Sequence, residues 1–200
     1  MEQIIRETWH YDRFCSPKTA PKLARAYLNS CLADQTYTQV ALMEDQPVGI
    51  IMAKNVAAHR CPFRMRLNLL LSVVSLLSTR EGRAVFRAFW EVEKIDRELL
   101  SQCSHHDGEL AFFAVSHSCR GLGIGKRLFQ SAVEYMSLQK ISAFYLFTDT
   151  SCNYGFYEHQ GMERQMQKTC RMKIQGQTEE FEFFSMITTS ETARCASIAH

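Results

Sequence analysis

The chain has 200 residues, 46% of them hydrophobic and 22% charged, a globular composition long enough to bury a sizeable core. A formal net charge of +2 excludes a general, charge-driven affinity for nucleic acid or membrane surfaces. The most apolar run, residues 67–77, falls short of the roughly 20 residues needed to span a bilayer, so a buried or interfacial helix is expected there.

Taken in chain order, Ile4 and Ile5 suggest a short opening strand. Residues 22–32, after Pro17 and Pro21, place apolar side chains at 23, 27, 28, 31 and 32, a helical period. Residues 37–44 alternate as a strand, and 48–53 form a second, with Gln46-Pro47 as the turn of a hairpin. From about 60 to 100 the strand character disappears. Residues 62–77 are apolar with interspersed arginines, and 81–100 carry one stripe at 85, 89, 92 and 99. Two inserted helices are predicted, followed by a loop over 101–108.

Strand character returns at 109–116 (E-L-A-F-F-A-V-S) and again at 143–148 (A-F-Y-L-F-T). Between them lie a glycine turn and a helix to about residue 139, a βαβ unit of expected right-handed crossover. A short helix near 153–159 ends before Gly161, and strands over 164–174 and 179–188 close the fold around Gln175-Gly176-Gln177. No repeat or linker interrupts the chain, so one domain over 1–200 is expected, with a helical insertion at about 60–105.

The eight cysteines form no C-x-x-C pair, which removes the usual zinc and dithiol signatures. The opening M-E-Q-I-I-R-E-T-W-H has no basic stretch leading into an apolar run. Reduced thiols and a cytoplasmic location are therefore expected.

The glycine turn reads C-R-G-L-G-I-G-K-R-L over 119–128. A nucleotide P-loop fails twice, because Arg120 stands where the first glycine belongs and Arg127 replaces the magnesium-binding hydroxyl. The dinucleotide fingerprint also fails, since Lys126 occupies its third glycine position. What remains is Arg120-x-x-Gly123-x-Gly125. A strand-to-helix turn of this kind presents unpaired amides and the positive end of a helix dipole to an anion.

One helix and one strand later comes Phe156-Tyr157-Glu158-x-x-Gly161-Met162. The first spacing resembles the R/Q-x-x-G-x-G/A signature of the GNAT superfamily of acyl-CoA-dependent N-acyltransferases. The second is similar to that family's F/L-Y-E-x-x-G-F, with Met162 in the final aromatic position.

The resemblance implies an α/β (α+β) fold. It would be a mixed central sheet of about six to seven strands with splayed fourth and fifth strands and helices on both faces, plus the helical insertion. It implies acetyl-CoA as co-substrate, its pyrophosphate cradled by Arg120, Gly121, Leu122, Gly123, Ile124, Gly125 and Lys126. Its pantetheine arm would lie along Phe113, Ala114 and Val115, with Asn153 and Phe156 nearby. An amide near Val115 would polarise the thioester carbonyl.

Tyr157 is implied as the general acid for the leaving thiolate, since a phenol of pKa about 10 stays protonated at neutral pH. Glu109 is the implied base; an exposed strand-end charge is the competing reading. Histidine is a residue type suited to the same task, so His105, His106, His117 and His159 are further candidates. The pair His105-His106 with Asp107 reads as solvated, and no metal is expected.

The acceptor would be a small-molecule or peptide amine attacking in a ternary complex. No nucleic-acid or membrane partner is implied, and the state is monomer or homodimer. A non-catalytic acyl-CoA sensor is the alternative. Arg60, Arg64, Arg66, Arg80, Arg83 and Arg87 in the insertion could form a wall for an anionic acceptor. Solvated arginines covering a helical pair are the preferred reading.

Overall fold

The computed structural model describes residues 1–101, 106–174, 177–189 and 192. His105, Cys103, Cys195 and most of the turn at 175–177 lie outside the described residues.

The chain opens with helices α1 (Glu2–Thr8), α2 (Tyr11–Phe14) and α3 (Ala20–Ala33). The strand expected at Ile4 and Ile5 is therefore a helix. Two adjacent apolar residues carry no period, and here both are buried, together with Tyr11, against one face of the sheet.

Strands β1 (Tyr37–Met43) and β2 (Gln46–Asn55) form the expected hairpin. Its reversal falls at Glu44 and Asp45, with φ of 50° and 60°, rather than at Gln46-Pro47. Two left-handed residues in sequence match the twist of the flanking strands.

The two inserted helices are α4 (Phe63–Leu77) and α5 (Arg80–Ser101). Helix α4 packs on α3, and α5 lies over the far end of the sheet. Glu81 anchors the start of α5: its carboxylate accepts bonds from the Ser16 amide (2.8 Å), the Ser16 hydroxyl (2.6 Å) and the Thr19 hydroxyl. The arginines at 60, 64, 66, 80, 83 and 87 are all exposed, which supports the solvated reading over an arginine wall.

Then follow β3 (Gly108–Val115), α6 (Ile124–Leu138), β4 (Ala143–Asp149), α7 (Gly155–His159), β5 (Glu163–Ile174) and β6 (Gln177–Thr189). The six strands form one mixed sheet in the order β1-β2-β3-β4-β6-β5. Only β3 and β4 run parallel. The absent opening strand makes the splayed pair the third and fourth strands of this chain.

Alternation along β2 divides the core. Ile50 and Met52 face α1 to α3, whereas Ile51 and Ala53 face α6. The fold is thus α/β with helices on both faces. Helix α5 covers β6 through Ile95, Leu99 and Phe183.

Candidate active site

Gly121 and Gly123 adopt φ of 80° and 74°, and a Cβ on either would meet nothing within 4 Å. Backbone conformation, not lack of space, selects glycine at both positions. Gly123 is the N-cap of α6 and no side chain caps the helix. The first intrahelical bond runs from the Arg127 amide to the Gly123 carbonyl at 3.1 Å. The amides of residues 124–126 therefore have no intrahelical acceptor and face outward at the positive end of the dipole. Arg120, Gly121, Leu122 and Gly123 are exposed around this turn; Ile124, Gly125 and Lys126 are partly covered.

The ladder between β3 and β4 has only two pairs, Gly108↔Phe144 and Glu109↔Tyr145. Beyond them β4 pairs with β6, and the edge of β3 facing β4 is open. The Ser116 amide donates to Val48 of β2 at 2.8 Å. By alternation the main chain of Phe112 and Ala114 also turns to β2, which leaves the amides and carbonyls of Phe113 and Val115 turned to the gap. Ala114 contributes neither edge nor side chain to the gap, being 3% exposed in the core under α1 to α3.

Aromatic packing brings three parts of the predicted site together. The ring of Phe113 lies 5.5 Å from that of Phe156 and 6.2 Å from that of Tyr157. A Cβ at Gly125 would come within 3.5 Å of Phe113 and 3.8 Å of Phe156. Burial raises the Tyr157 pKa, and nearby Cys152 adds to the effect. The Cys152 thiol is itself pushed up to about 11, first by burial and then by Asp149, so it is protonated at neutral pH.

Glu109 belongs to a different cluster, on the face of the sheet that carries α1 to α3. A bulge sends it there. Met52 pairs with Phe112 and Lys54 with Glu109, so two steps on β2 oppose three on β3. The extra residue reverses the alternation, turning Glu109 away from the side of Phe113 and Val115. Its carboxylate accepts a bond from the Tyr145 hydroxyl at 3.1 Å and lies 3.6 Å from the Lys54 ammonium. Lys54 also pairs with Asp34 at 2.7 Å. Burial raises the Glu109 pKa, and Lys54 opposes that rise.

Asn153 is exposed, and its carbonyl accepts the Phe156 amide at 3.2 Å. His117 is exposed in the single turn at His117–Cys119. The His159 ring is bonded to the Gly155 carbonyl at 2.6 Å, and His106 lies 5.5 Å from the Tyr145 ring. Among the described residues no group of three or more His, Cys, Asp or Glu is placed to hold a metal ion, and no helix is long and apolar enough to cross a membrane.

A half-open cavity of about 870 Å³ lies beside the gap, walled by Trp9, helices α2 to α5 and the sheet. Its wall includes Lys54, Asp96, Glu109, Ala111, Tyr145 and Asp149. Lys54, Tyr145 and Asp96 escaped the sequence reading. Tyr145 had a usable signal, since odd positions of that strand share a face.

The family model described as Acetyltransferase (GNAT) family matches residues 1–162. The chain belongs to the GNAT acetyltransferase family. The family match contains the glycine turn, the gap and α7, and ends before β5.

Among solved structures, smu.2055 from Streptococcus mutans UA159 is similar with a TM-score of 0.55 and 13% identity, over 94% of this chain and 90% of that one. An aminoglycoside 6'-acetyltransferase type Ii is similar with a TM-score of 0.51 and 16% identity, over 94% and 86%. At these identities the likeness concerns the fold. A comparison with curated proteins found no match.

Proposed function

We propose that the protein is an acetyl-CoA-dependent N-acetyltransferase that joins an acetyl group to a primary amine by direct transfer in a ternary complex. The observation that carries this reading is the adjoining of three features in a GNAT acetyltransferase: an uncapped, glycine-led helix N-terminus, an open edge on β3, and a protonated tyrosine between them.

The cradle fits a pyrophosphate, since it offers unpaired amides and no side-chain obstruction at Gly121 and Gly123. Arg120 and Lys126 flank it with positive charge. The main-chain groups of Phe113 and Val115 suit an extended arm, which would bind as an added strand. Phe156, whose ring packs on Phe113, would border the same arm, with Asn153 just ahead of α7 as a further candidate contact. Acetyl-CoA, when bound, supplies the acyl thioester.

Tyr157 keeps its proton, because burial disfavours the phenolate, and donates it where thiolate charge develops. Glu109 takes the amine proton on the cavity side, its basicity raised by burial and restrained by Lys54. Cys152, held as a neutral thiol, is not set up to carry an acyl group, which favours direct attack. An acyl-CoA sensor would need none of these proton-handling groups.

Gly123→Ala tests the cradle. A non-glycine residue at φ 74° costs about 1–2 kcal/mol, and its Cβ projects into the anion's space. The expected result is a KM for acetyl-CoA raised about tenfold or more, with kcat little changed. An unchanged KM would argue against this anion site.

Lys54→Met tests the base. Removing the cation leaves Glu109 and Asp34 without their shared ammonium, costing about 2–3 kcal/mol of stability. Because Lys54 lowers the Glu109 pKa, its loss raises that pKa further. The acid limb of the kcat/KM profile should therefore move to higher pH, and a limb that stays in place excludes Glu109 as the base.

A further inference from the structure

The cavity beside the gap carries five carboxylates, of Asp34, Glu93, Asp96, Glu109 and Asp149. Four have work to do within the protein. Asp34 and Glu109 share Lys54. Glu93 lies 3.5 Å from Arg97, and Asp149 accepts the Ser151 amide at 2.7 Å. Asp96, on the inserted helix α5, is the exception. Its Oδ1 is buried without a hydrogen-bond partner among the described residues.

A second orphan supports the first. Tyr11 also lines the cavity, is 1% exposed, and its hydroxyl has no hydrogen-bond partner among the described residues. Two buried polar groups left unsatisfied around one cavity reduce folding stability, and such groups persist where a ligand supplies the partner. Much of the remaining wall is aromatic, with leucine and valine side chains between the rings. Trp9 packs edge-on to Tyr27 at 5.4 Å, and Tyr11 edge-on to Phe89 at 5.5 Å, with Phe147 and Phe183 along the sheet side.

We propose that Asp96 receives the ammonium group of the acceptor, and that the acceptor is a primary amine on an apolar, aromatic-sized body. The inference rests on the N-acetyltransferase reading above and adds its substrate class. A carboxylate without a cation selects a positive group, and aromatic walls favour both a flat apolar body and a nearby cation. The environment keeps Asp96 ready for a cation. Burial, then Glu93 on its own helix, Glu109 on β3 and Asp149 on β4, raise its pKa to about 7, a cost that a bound ammonium relieves. The arginines at 60, 64, 66, 80, 83 and 87 take no part, since none of them lines the cavity; Arg97, which does, pairs with Glu93.

The test uses 2-phenylethylamine, 1,4-diaminobutane and an aminoglycoside as acceptors, with thiol release from acetyl-CoA as the rate. The expected order places 2-phenylethylamine first in kcat/KM. Asp96→Asn should raise its KM about 30-fold, the equivalent of losing one charge-assisted hydrogen bond, with acetyl-CoA affinity unchanged and partial recovery in Asp96→Glu. The Asn variant should melt no lower than the wild type at pH 8, because a buried lone charge has gone, which separates lost binding from lost folding. Binding of 2-phenylethylamine to the CoA-loaded protein, measured by calorimetry, gives a readout independent of turnover. A KM and calorimetric affinity unchanged in Asp96→Asn, or a preference for the diamine or aminoglycoside, overturns the proposal. Absence of thiol release with every amine, while 2-phenylethylamine still binds through Asp96, overturns the enzyme reading and leaves the cation site standing.

Discussion

Tyr157→Phe is expected to lower kcat by about 10²- to 10⁴-fold, the usual contribution of a positioned general acid, while acetyl-CoA binds as before. The phenol sits at the start of the gap, its ring 6.2 Å from Phe113 and 5.6 Å from Phe156, and burial holds its pKa above the ordinary value. Phenylalanine keeps that packing and removes only the proton. The loss should therefore fall on kcat and leave melting temperature and acetyl-CoA affinity intact. Because the phenol stays protonated beyond pH 9, the wild-type rate should show no fall attributable to Tyr157 between pH 7 and 9. Unchanged turnover in the variant would remove Tyr157 from the mechanism.

Phe129→Ala is expected to cost about 3–5 kcal/mol of stability, as for other fully buried aromatic truncations. Phe129 is 0% exposed on α6, 6.5 Å ring to ring from Phe144 and edge-on to Phe156 at 5.7 Å. Its ring joins α6 to α7, so its loss loosens the seat of Tyr157 as well as the core. Chemical denaturation should show the midpoint shift. Activity at temperatures where the variant is fully folded should also fall, through kcat more than through KM. A loss of stability under about 1 kcal/mol would mean that α7 is held by other contacts.

The glycine turn and α7 were legible because each has a spacing that chemistry constrains: positive φ at Gly121 and Gly123, and a tyrosine one helix and one strand later. The hydrophobic stripe of α5 was equally clear. The opening helix was not, since Ile4 and Ile5 side by side fit a strand as well as one turn of helix. The hairpin reversal at Glu44 and Asp45 was hidden behind the stronger turn signal of Pro47.

The face of Glu109 was illegible for a deeper reason. A bulge of one residue reverses every orientation beyond it, and nothing in E-L-A-F-F-A-V-S marks the extra residue. Asp96 was hidden differently. One aspartate among the charged residues of an amphipathic helix looks solvated, and only the packing of α5 over β6 turns it toward the cavity.

The proposed reaction is direct transfer of an acetyl group from acetyl-CoA to an amine. The measurement that tests it most directly follows acetyl-CoA labelled in its acetyl group, by mass spectrometry of protein and amine, first without and then with 2-phenylethylamine. Direct transfer would leave no label on the protein at any stage, and put label on the amine nitrogen equal to the thiol released. Label on the protein before amine is added, or acetyl-CoA bound with no transfer to any amine offered, would contradict it.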